Sequence, residues 1–286
     1  MIDISEGILV AGTGIYRKLE FFEDKEVGTS IRPPLKWAGG KRWLAQRIHE
    51  IWHPFRNLVY IEPFCGGLSV ALKLRPGKAI LNDVNPHLIN FYRNLKNGFS
   101  VEFEMRNDRS FYIDLRKRFN DSIDNGDAGT PLQAALFYYL NRTCFNGLCR
   151  FNNSGHFNVP FGKYKRINYT YDFSIYMKAF EKWSFLSVDF EKLDLDGDSF
   201  VYADPPYDVE FTKYSQVDFT WNDQKRLVGW LDRHDGPIVI SNQSTERIRD
   251  LYLNHGYDIS ETSAPRFINA NGNRSRATEI IATKNL

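Results

Sequence analysis

The chain of 286 residues is 42% hydrophobic, 15% aromatic and 25% charged, and its formal net charge is +2. These fractions are typical of a globular protein and exclude a disordered, collagen-like or coiled-coil chain, and no apolar run reaches the roughly 18–20 residues needed to cross a bilayer. Three cysteines are too few for a disulfide framework, which favours a reducing compartment. We therefore expect a cytoplasmic protein that does not enter a membrane, and a monomer because no self-association pattern is present.

The N-terminal residues 1–32 carry more acids than bases and show no helical or strand period, so we interpret them as an extension of unknown role. From Pro33 onward, short apolar runs of strand length alternate with helical segments. The predicted strands are Val59–Glu62, Ala79–Asn82, Phe185–Val188, Phe200–Ala203 and Ile238–Asn242.

Capping residues mark the starts of three helices. Asn85 precedes a first-turn proline, Thr130 does the same for the predicted helix Pro131–Thr143, and Thr220 is followed three residues later by Asp223 in a helix that runs to about Arg233. Strands that alternate with helices predict a mostly parallel, doubly wound α/β sheet. This alternation is interrupted over 98–171, which we interpret as an inserted subdomain between two parts of the sheet domain, 33–97 and 172–286.

The strongest motif is Asp204-Pro205-Pro206-Tyr207, which follows the apolar strand Phe200–Ala203 directly. Open α/β sheets bind ligands at the carboxyl ends of their strands. Two prolines fix the backbone and remove two donors, so the Asp204 carboxylate and the Pro205 carbonyl form a rigid pair of acceptors for an amino group, and Tyr207 offers a face for a planar base. A simple strand-ending turn is the structural alternative.

A second motif, Glu-Pro-Phe-Cys-Gly-Gly from Glu62 to Gly67, leads from a strand into a glycine turn where a ligand can approach the backbone. The next strand ends in Asp83, where an acid would hold two ribose hydroxyls; a helix cap is the alternative. A third motif, Lys36-Trp-Ala-Gly-Gly-Lys41, lacks the first glycine and the hydroxyl residue of a phosphate loop, which argues against an ATPase.

Charge is unevenly distributed along the chain. The stretch 141–170 contains no acid, whereas 189–210 is rich in carboxylates. The bases of the first stretch are Arg142, Arg150, Lys163, Lys165 and Arg166. A basic segment beside an acidic pocket fits a polyanionic partner, although a solvated basic loop explains the charge equally well.

Taken together, these motifs resemble the DNA adenine methylase (Dam) family, the D12 class of N6-adenine-specific DNA methyltransferases, in order and in spacing. The segment ending at Lys165, which reads NRTCFNGLCRFNNSGHFNVPFGKYK, is similar to the hairpin with which this family recognises DNA. The resemblance extends from about Pro34 to Ala282. It implies a Rossmann-like S-adenosylmethionine-dependent methyltransferase sheet with an inserted, mainly helical DNA-recognition subdomain and a hairpin at about 145–165.

The resemblance implies methylation of adenine N6 in duplex DNA, at GATC, with S-adenosylmethionine as the methyl donor and no metal. The implied catalytic residues, which hold the flipped adenine, are Asp204, Pro205, Pro206 and Tyr207. The implied cofactor-binding residues are Trp37, Lys41, Glu62, Phe64, Asp83, Asp189, Phe190 and Asp204. The implied DNA-recognition residues are Lys36, Phe145, Asn146, Leu148, Arg150 and Pro160. In this scheme Arg150 and Lys36 read guanines, Leu148 and Pro160 touch a thymine methyl, and Phe145 fills the gap left by the flipped base.

Three departures from the family pattern are visible. Leu68 stands where the family usually has a glycine, Phe145 replaces a tyrosine, and the loop from Asp208 to Tyr214 is short. Two other functions stay open from the residues: methylation of another amino group, such as cytosine N4 or an RNA base, and a catalytically inactive DNA-binding relative. A structural alternative to DNA recognition is that the aromatic residues of the hairpin form a small core.

Overall fold

The computed structural model describes residues 31–195, 197–208, 219–264 and 277–286. The chain divides into two units, residues 1–30 and 31–286, and all described residues belong to the second. The predicted N-terminal extension therefore lies outside the described residues apart from Ile31 and Arg32, and so does the short loop apart from Asp208.

The described residues contain a seven-stranded sheet in the order β3-β2-β1-β4-β5-β7-β6. Neighbours are parallel from β3 to β5, and β7 runs antiparallel between β5 and β6. The strands are β1 Val59–Glu62, β2 Ala79–Asn82, β3 Trp183–Leu186, β4 Ser199–Ala203, β5 Ile238–Gln243, β6 Asp258–Ala264 and β7 Ala277–Lys284.

Alternate residues of each central strand enter two separate hydrophobic cores. Tyr60 of β1 and Tyr202 of β4 pack in one core, whereas Ile61 and Val201 pack in the other. Because neighbouring residues of a strand point to opposite faces, both faces of the sheet are buried. The predicted doubly wound α/β fold is confirmed.

Eight α-helices surround the sheet in the described part of the chain. They are α1 Ala45–Trp52, α2 Ala71–Leu74, α3 Pro86–Lys96, α4 Arg109–Asp124, α5 Pro131–Thr143, α6 Ser174–Ala179, α7 Trp221–Leu231 and α8 Glu246–Asn254. The predicted caps are confirmed: the Asn85 side chain accepts from the backbone N–H groups of His87 and Leu88, and the Thr220 N–H donates to Asp223 at 2.8 Å. Helix α7 ends two residues before Arg233.

Strand prediction was right for the four central parallel strands, shifted at β3 and missing for β6 and β7. β1 and β2 have the predicted ends, and β4 and β5 are each one residue longer. β3 begins two residues earlier than predicted, because Trp183 is buried and residues 187 and 188 lie beyond the strand. β6 and β7 were not predicted. β6 reads DISETSA, an edge strand whose polar residues leave no apolar run from which a strand could be predicted.

The segment 98–171 contributes α4, α5 and an irregular hairpin. The hairpin is held by two antiparallel bridges, Cys144 with Phe161 and Phe151 with Phe157. Helix α5 is buried from Gln133 to Thr143, and its apolar side chains share one core with those of α3 and the sheet. The boundaries of a separate subdomain stay a prediction, because this core is continuous with that of the sheet.

Candidate active site

Asp204 lies directly after β4 and forms a buried ion pair with Lys41. The Lys41 ammonium is 2.8 Å from the Asp204 carboxylate, and the Ser241 hydroxyl, on β5, donates to the same carboxylate at 2.9 Å. Ser241 is itself hydrogen-bonded to the Tyr202 hydroxyl at 2.8 Å. Burial raises the pKa of Asp204, while Lys41 and Ser241 oppose that shift. The carboxylate is therefore a fixed acceptor at the carboxyl edge of the sheet.

The two prolines that follow Asp204 are fixed by a chain of buried amides. The Pro206 carbonyl accepts from the Gln224 side chain at 2.9 Å, and Asn242 donates to Gln224 at 3.1 Å. Both amides are buried. The backbone that carries the Pro205 carbonyl is thus fixed from its C-terminal side, on α7 and β5.

Tyr207 lies between Lys41 and the last strand of the sheet. The Lys41 ammonium is 4.7 Å from the centroid of the Tyr207 ring, and the Tyr207 hydroxyl donates to the Glu279 carboxylate on β7. Burial is the main cause that raises the pKa values of both Tyr207 and Glu279. Sequence reasoning missed Glu279 because β7 was not predicted.

The glycine turn after β1 packs against the loop that carries Lys36 and Lys41. A Cβ atom on Gly66 would lie 2.6 Å from the indole nitrogen of Trp37, and one on Gly67 would lie 2.7 Å from the Trp37 Cβ. Gly66 also has a φ of 42°, and its carbonyl accepts from the Tyr92 hydroxyl at 2.6 Å. Glycine is required here because Trp37 occupies the space that a side chain would need.

Asp83 closes the same site from the end of β2. Its carboxylate accepts from the Gly66 N–H at 3.1 Å and from the Asn85 N–H at 2.9 Å. The cap of α3 is Asn85 and not Asp83, so the alternative interpretation of Asp83 as a helix cap is wrong. Burial raises the pKa of Asp83 to about 6, against the two backbone hydrogen bonds.

An aromatic group lies beyond the glycine turn, next to an arginine that the sequence did not indicate. The Phe64 and Phe190 rings are 5.5 Å apart, and the Arg226 guanidinium lies 5.0 Å from the Phe190 centroid. Arg226 also pairs with Asp189 at 3.0 Å. Two predicted cofactor residues, Asp189 and Phe190, are therefore already engaged by one side chain of α7.

Glu62, the last residue of β1, is buried beside the site. The Tyr60 hydroxyl donates to its carboxylate at 2.9 Å. Burial raises the pKa of Glu62 well above its ordinary value, and the nearby Asp204 and Asp83 carboxylates act in the same direction. Glu62 thus lies in the same acidic cluster as two other predicted site residues.

Lys36 joins this site to the hairpin. Its backbone N–H donates to the Asn141 side chain at 2.9 Å, and its ammonium donates to the Arg142 carbonyl at 3.2 Å while lying 3.6 Å from the centroid of the Tyr164 ring. Burial, followed by the neighbouring Arg142 charge, lowers the pKa of Lys36. The first Lys of the loop therefore lies at the base of the hairpin.

The hairpin residues divide into an exposed set and a packed set. Phe145 is 48% exposed, and its N–H donates to the Pro160 carbonyl at 2.8 Å. Leu148 packs on the core, and Phe151 stacks on His87 with centroids 5.0 Å apart. Core packing thus accounts for Leu148 and Phe151 and leaves Phe145 projecting.

Two other predicted hairpin residues have defined surroundings. The Arg150 guanidinium donates to the Asn158 side chain across the hairpin at 2.7 Å. Asn146 adopts a left-handed backbone with φ of 54° in the turn Phe145–Gly147. Asn158 was not predicted, because a side chain that orients an arginine across a hairpin has no sequence signal of its own.

Among the described residues, no three histidine, cysteine or acidic side chains come together as metal ligands. Within the same residues, no helix is long and apolar enough to span a bilayer.

Residues 37–266 match the family model described as D12 class N6 adenine-specific DNA methyltransferase. The chain is 34% identical over 269 residues to a DNA adenine methylase of Vibrio cholerae, covering 87% of this chain and 94% of that protein. It is 32% identical over 261 residues to the retron Ec67 DNA adenine methylase of Escherichia coli, covering 87% and 90%. It is 34% identical over 278 residues to the type II methyltransferase M1.LlaDCHI of Lactococcus lactis, covering 89% and 95%.

A solved structure, a precorrin-6y C5,15-methyltransferase from Geobacter metallireducens, superposes with a TM-score of 0.35 at 9% identity, covering 83% of this chain and 87% of that chain. The sequence relatives and the family model together show the family of this chain. The chain belongs to the D12 class of N6 adenine-specific DNA methyltransferases, an S-adenosylmethionine-dependent family.

Proposed function

We propose that this protein transfers a methyl group from S-adenosylmethionine to the exocyclic N6 of adenine in duplex DNA, at GATC, after the base is flipped out of the helix. The observation that carries the proposal is the acceptor pair at the end of β4. Asp204 is held by Lys41 and Ser241, and the adjoining proline backbone is held by Gln224. An amino group can donate to both the carboxylate and the Pro205 carbonyl, and a base inside a duplex cannot reach them.

The residues around the glycine turn fit S-adenosylmethionine. Gly66 and Gly67 have no space for side chains against Trp37, and Asp83 presents a carboxylate at the end of the neighbouring strand. Trp37, Asp83 and the Phe64–Phe190 pair would hold the cofactor, with Glu62 beside them. Bound S-adenosylmethionine supplies an electrophilic methyl group on its sulfonium.

The protein's own groups orient the amino group and accept its proton. The Lys41 ammonium lies 2.8 Å from one Asp204 carboxylate oxygen and 2.9 Å from the other, and Ser241 donates to the first, so an incoming amino group would displace Lys41 from the second. Hydrogen bonds to Asp204 and to the Pro205 carbonyl draw the nitrogen away from the plane of the base, which makes it more nucleophilic. The raised pKa of Asp204 suits a carboxylate that takes up the proton as the new bond forms. The transfer is direct, with no covalent enzyme intermediate.

The hairpin supports sequence recognition. It carries basic residues and no acidic ones. The exposed Phe145 is available to fill the gap left by a flipped nucleobase. Arg150 would read a guanine through two hydrogen bonds in the major groove, a contact worth about 1–3 kcal/mol of discrimination. Lys36 would read the other guanine, and Leu148 and Pro160 would touch a thymine methyl. The protein would act on DNA in a bacterial cytoplasm, encoded either by the bacterium or by a phage that infects it.

The test is incubation of unmethylated plasmid with labelled S-adenosylmethionine, followed by cleavage with one nuclease blocked by GATC methylation and one that is indifferent to it. Incorporation with protection from the first nuclease alone supports the proposal. Incorporation without protection contradicts the GATC site. Cofactor binding with no incorporation into any DNA identifies an inactive DNA-binding relative.

A further inference from the structure

Glu279 is a buried acid whose position the reaction described above does not explain. It lies on β7, opposite Gln243 of β5 and Thr262 of β6, and is 6% exposed. One carboxylate oxygen accepts from the Tyr207 hydroxyl. The other oxygen is buried and has no hydrogen-bond partner among the described residues.

Stability does not account for this residue. Burying a carboxyl group with one oxygen unpaired destabilises the fold, because the lost hydration is not replaced. The strand positions that flank Glu279 on β7 are Thr278 and Ile280, and Ile280 is fully buried in the core. An uncharged side chain would suit this site better if the sheet alone mattered.

We infer that Glu279 is a positioning residue for Tyr207: by accepting the tyrosine hydroxyl, it fixes the plane of the ring against which the flipped base stacks. This inference rests on the proposed function of Tyr207. The ring also faces the Lys41 ammonium, which lies 4.7 Å from its centroid. In the proposed function an incoming amino group takes the place of this ammonium on one Asp204 oxygen. The hydrogen bond to Glu279 therefore restrains the Tyr207 ring independently of Lys41.

Orientation of a bound base affects the chemical step more than it affects binding. We expect Glu279→Ala to lower the single-turnover rate constant for methylation of duplex DNA by about ten-fold, the effect of one lost hydrogen bond to a charged group. Its affinity for S-adenosylmethionine stays within about two-fold of the unsubstituted protein's, because Glu279 does not touch the glycine turn. Glu279→Gln keeps an acceptor and restores most of the rate.

The experiment measures single-turnover methylation for Glu279→Ala, Glu279→Gln, Tyr207→Phe and the Tyr207→Phe/Glu279→Ala pair. Glu261→Ala is the matched control, since Glu261 is an exposed acid on β6 that bonds Ser244. Thermal unfolding of each variant shows whether it folds. The inference predicts that Glu279→Ala changes nothing further in the Tyr207→Phe background.

A second readout uses DNA with 2-aminopurine at the target adenine, whose fluorescence reports the environment of the flipped base. The inference predicts an altered fluorescence in Glu279→Ala and an unaltered one in Glu261→Ala. Full activity of Glu279→Ala would overturn the inference. So would a loss of methylation rate from Glu279→Ala that is equal in the unsubstituted protein and in Tyr207→Phe. An inactive unsubstituted protein would instead contradict the proposed function itself.

Discussion

The side-chain amide of Asn141 is hydrogen-bonded to both backbone groups of Lys36. It accepts from the Lys36 N–H at 2.9 Å and donates to the Lys36 carbonyl at 2.8 Å, and it also donates to the Gly147 carbonyl at 3.3 Å. A Cβ atom on Gly147 would lie 2.3 Å from that of Lys36. The loop that leads to Trp37 and Lys41 and the start of the hairpin are therefore packed as one unit.

Because Asn141 holds the loop and the hairpin together, we expect Asn141→Ala to disturb both the cofactor side and the DNA side of the site. The substitution leaves two backbone groups of Lys36 without partners, and each buried unsatisfied group costs about 1–3 kcal/mol. We expect a lower melting temperature and weaker binding of both S-adenosylmethionine and DNA. Asn94→Ala is the control, because the Asn94 amide bonds Asn90 in the same helix; an equal effect of that control would contradict the prediction.

Leu68 shows why a glycine is common at its position in the family. Its φ of 60° lies in the left-handed region, while its side chain is fully buried. Leu68→Gly relieves about 1–2 kcal/mol of backbone strain and removes a leucine side chain whose loss from a core costs about 2–5 kcal/mol. We expect a net decrease of about 1–3 kcal/mol in the free energy of unfolding, measured in urea.

Arg75 provides the matched control for that substitution. It has a φ of 54° at the end of α2, and its side chain is exposed. Arg75→Gly relieves similar strain without removing a buried group, so we expect unchanged or slightly higher stability. A stabilised Leu68→Gly protein would show that packing at Leu68 matters less than the backbone.

The pKa of Asp83 makes cofactor affinity depend on pH. In the protein without ligand this pKa is raised from 3.8 to about 6, so the group gains a proton as the pH falls through about 6. If the ionised carboxylate accepts from cofactor hydroxyls, affinity is full above about pH 6 and falls by up to ten-fold per pH unit below it. The same shift destabilises the folded state as the pH rises from about 4 to 6, since burial opposes ionisation.

Titration of S-adenosylmethionine between pH 5 and pH 8 checks this dependence. We expect Asp83→Asn to bind more weakly at neutral pH and to lose most of the dependence. Asp108→Asn, at the exposed cap of α4, should leave the profile unchanged. A flat profile for the unsubstituted protein would show that the ionised Asp83 does not contribute to binding.

Arg150 offers a test of sequence recognition. Its guanidinium is already oriented by Asn158, so its removal disturbs one side chain on the hairpin and leaves the cofactor site intact. We expect Arg150→Ala to methylate GATC more slowly by about ten-fold or more and to lose discrimination at one guanine. Lys165→Ala, in the same hairpin, should weaken binding equally for every sequence. An Arg150→Ala protein whose activity falls equally for every DNA sequence would identify Arg150 as a phosphate contact instead.

Sequence reasoning could predict a candidate site because the motifs stand at strand ends. Asp204, Asp83 and Glu62 each follow or end a buried strand, and the apolar runs of β1 and β2 are bounded by Pro63 and Asp83. Buried parallel strands are continuous in hydrophobicity, so their ends are visible in the sequence.

The partners of these residues could not be found in the same way. Asn141 is 105 residues from Lys36, and Glu279 is 72 residues from Tyr207. Such contacts depend on the order of strands and on the packing of α5, which periodicity does not encode. Glu279 was also hidden because β7 pairs between β5 and β6 near the C-terminal end, where polar residues interrupt the apolar pattern.

The most direct test of the account is nucleoside analysis of plasmid DNA after incubation with S-adenosylmethionine and either the unsubstituted protein or Asp204→Ala. In the proposed function Asp204 provides the carboxylate that orients the amino group, so its loss should abolish transfer. Cofactor binding, measured in parallel, shows whether that loss lies in orientation of the amino group or in the cofactor site, to which the family resemblance also assigns Asp204. The account predicts N6-methyladenine as the single methylated nucleoside with the unsubstituted protein and none with Asp204→Ala. N4-methylcytosine as the product, or an Asp204→Ala protein that methylates adenine at the normal rate, would contradict it.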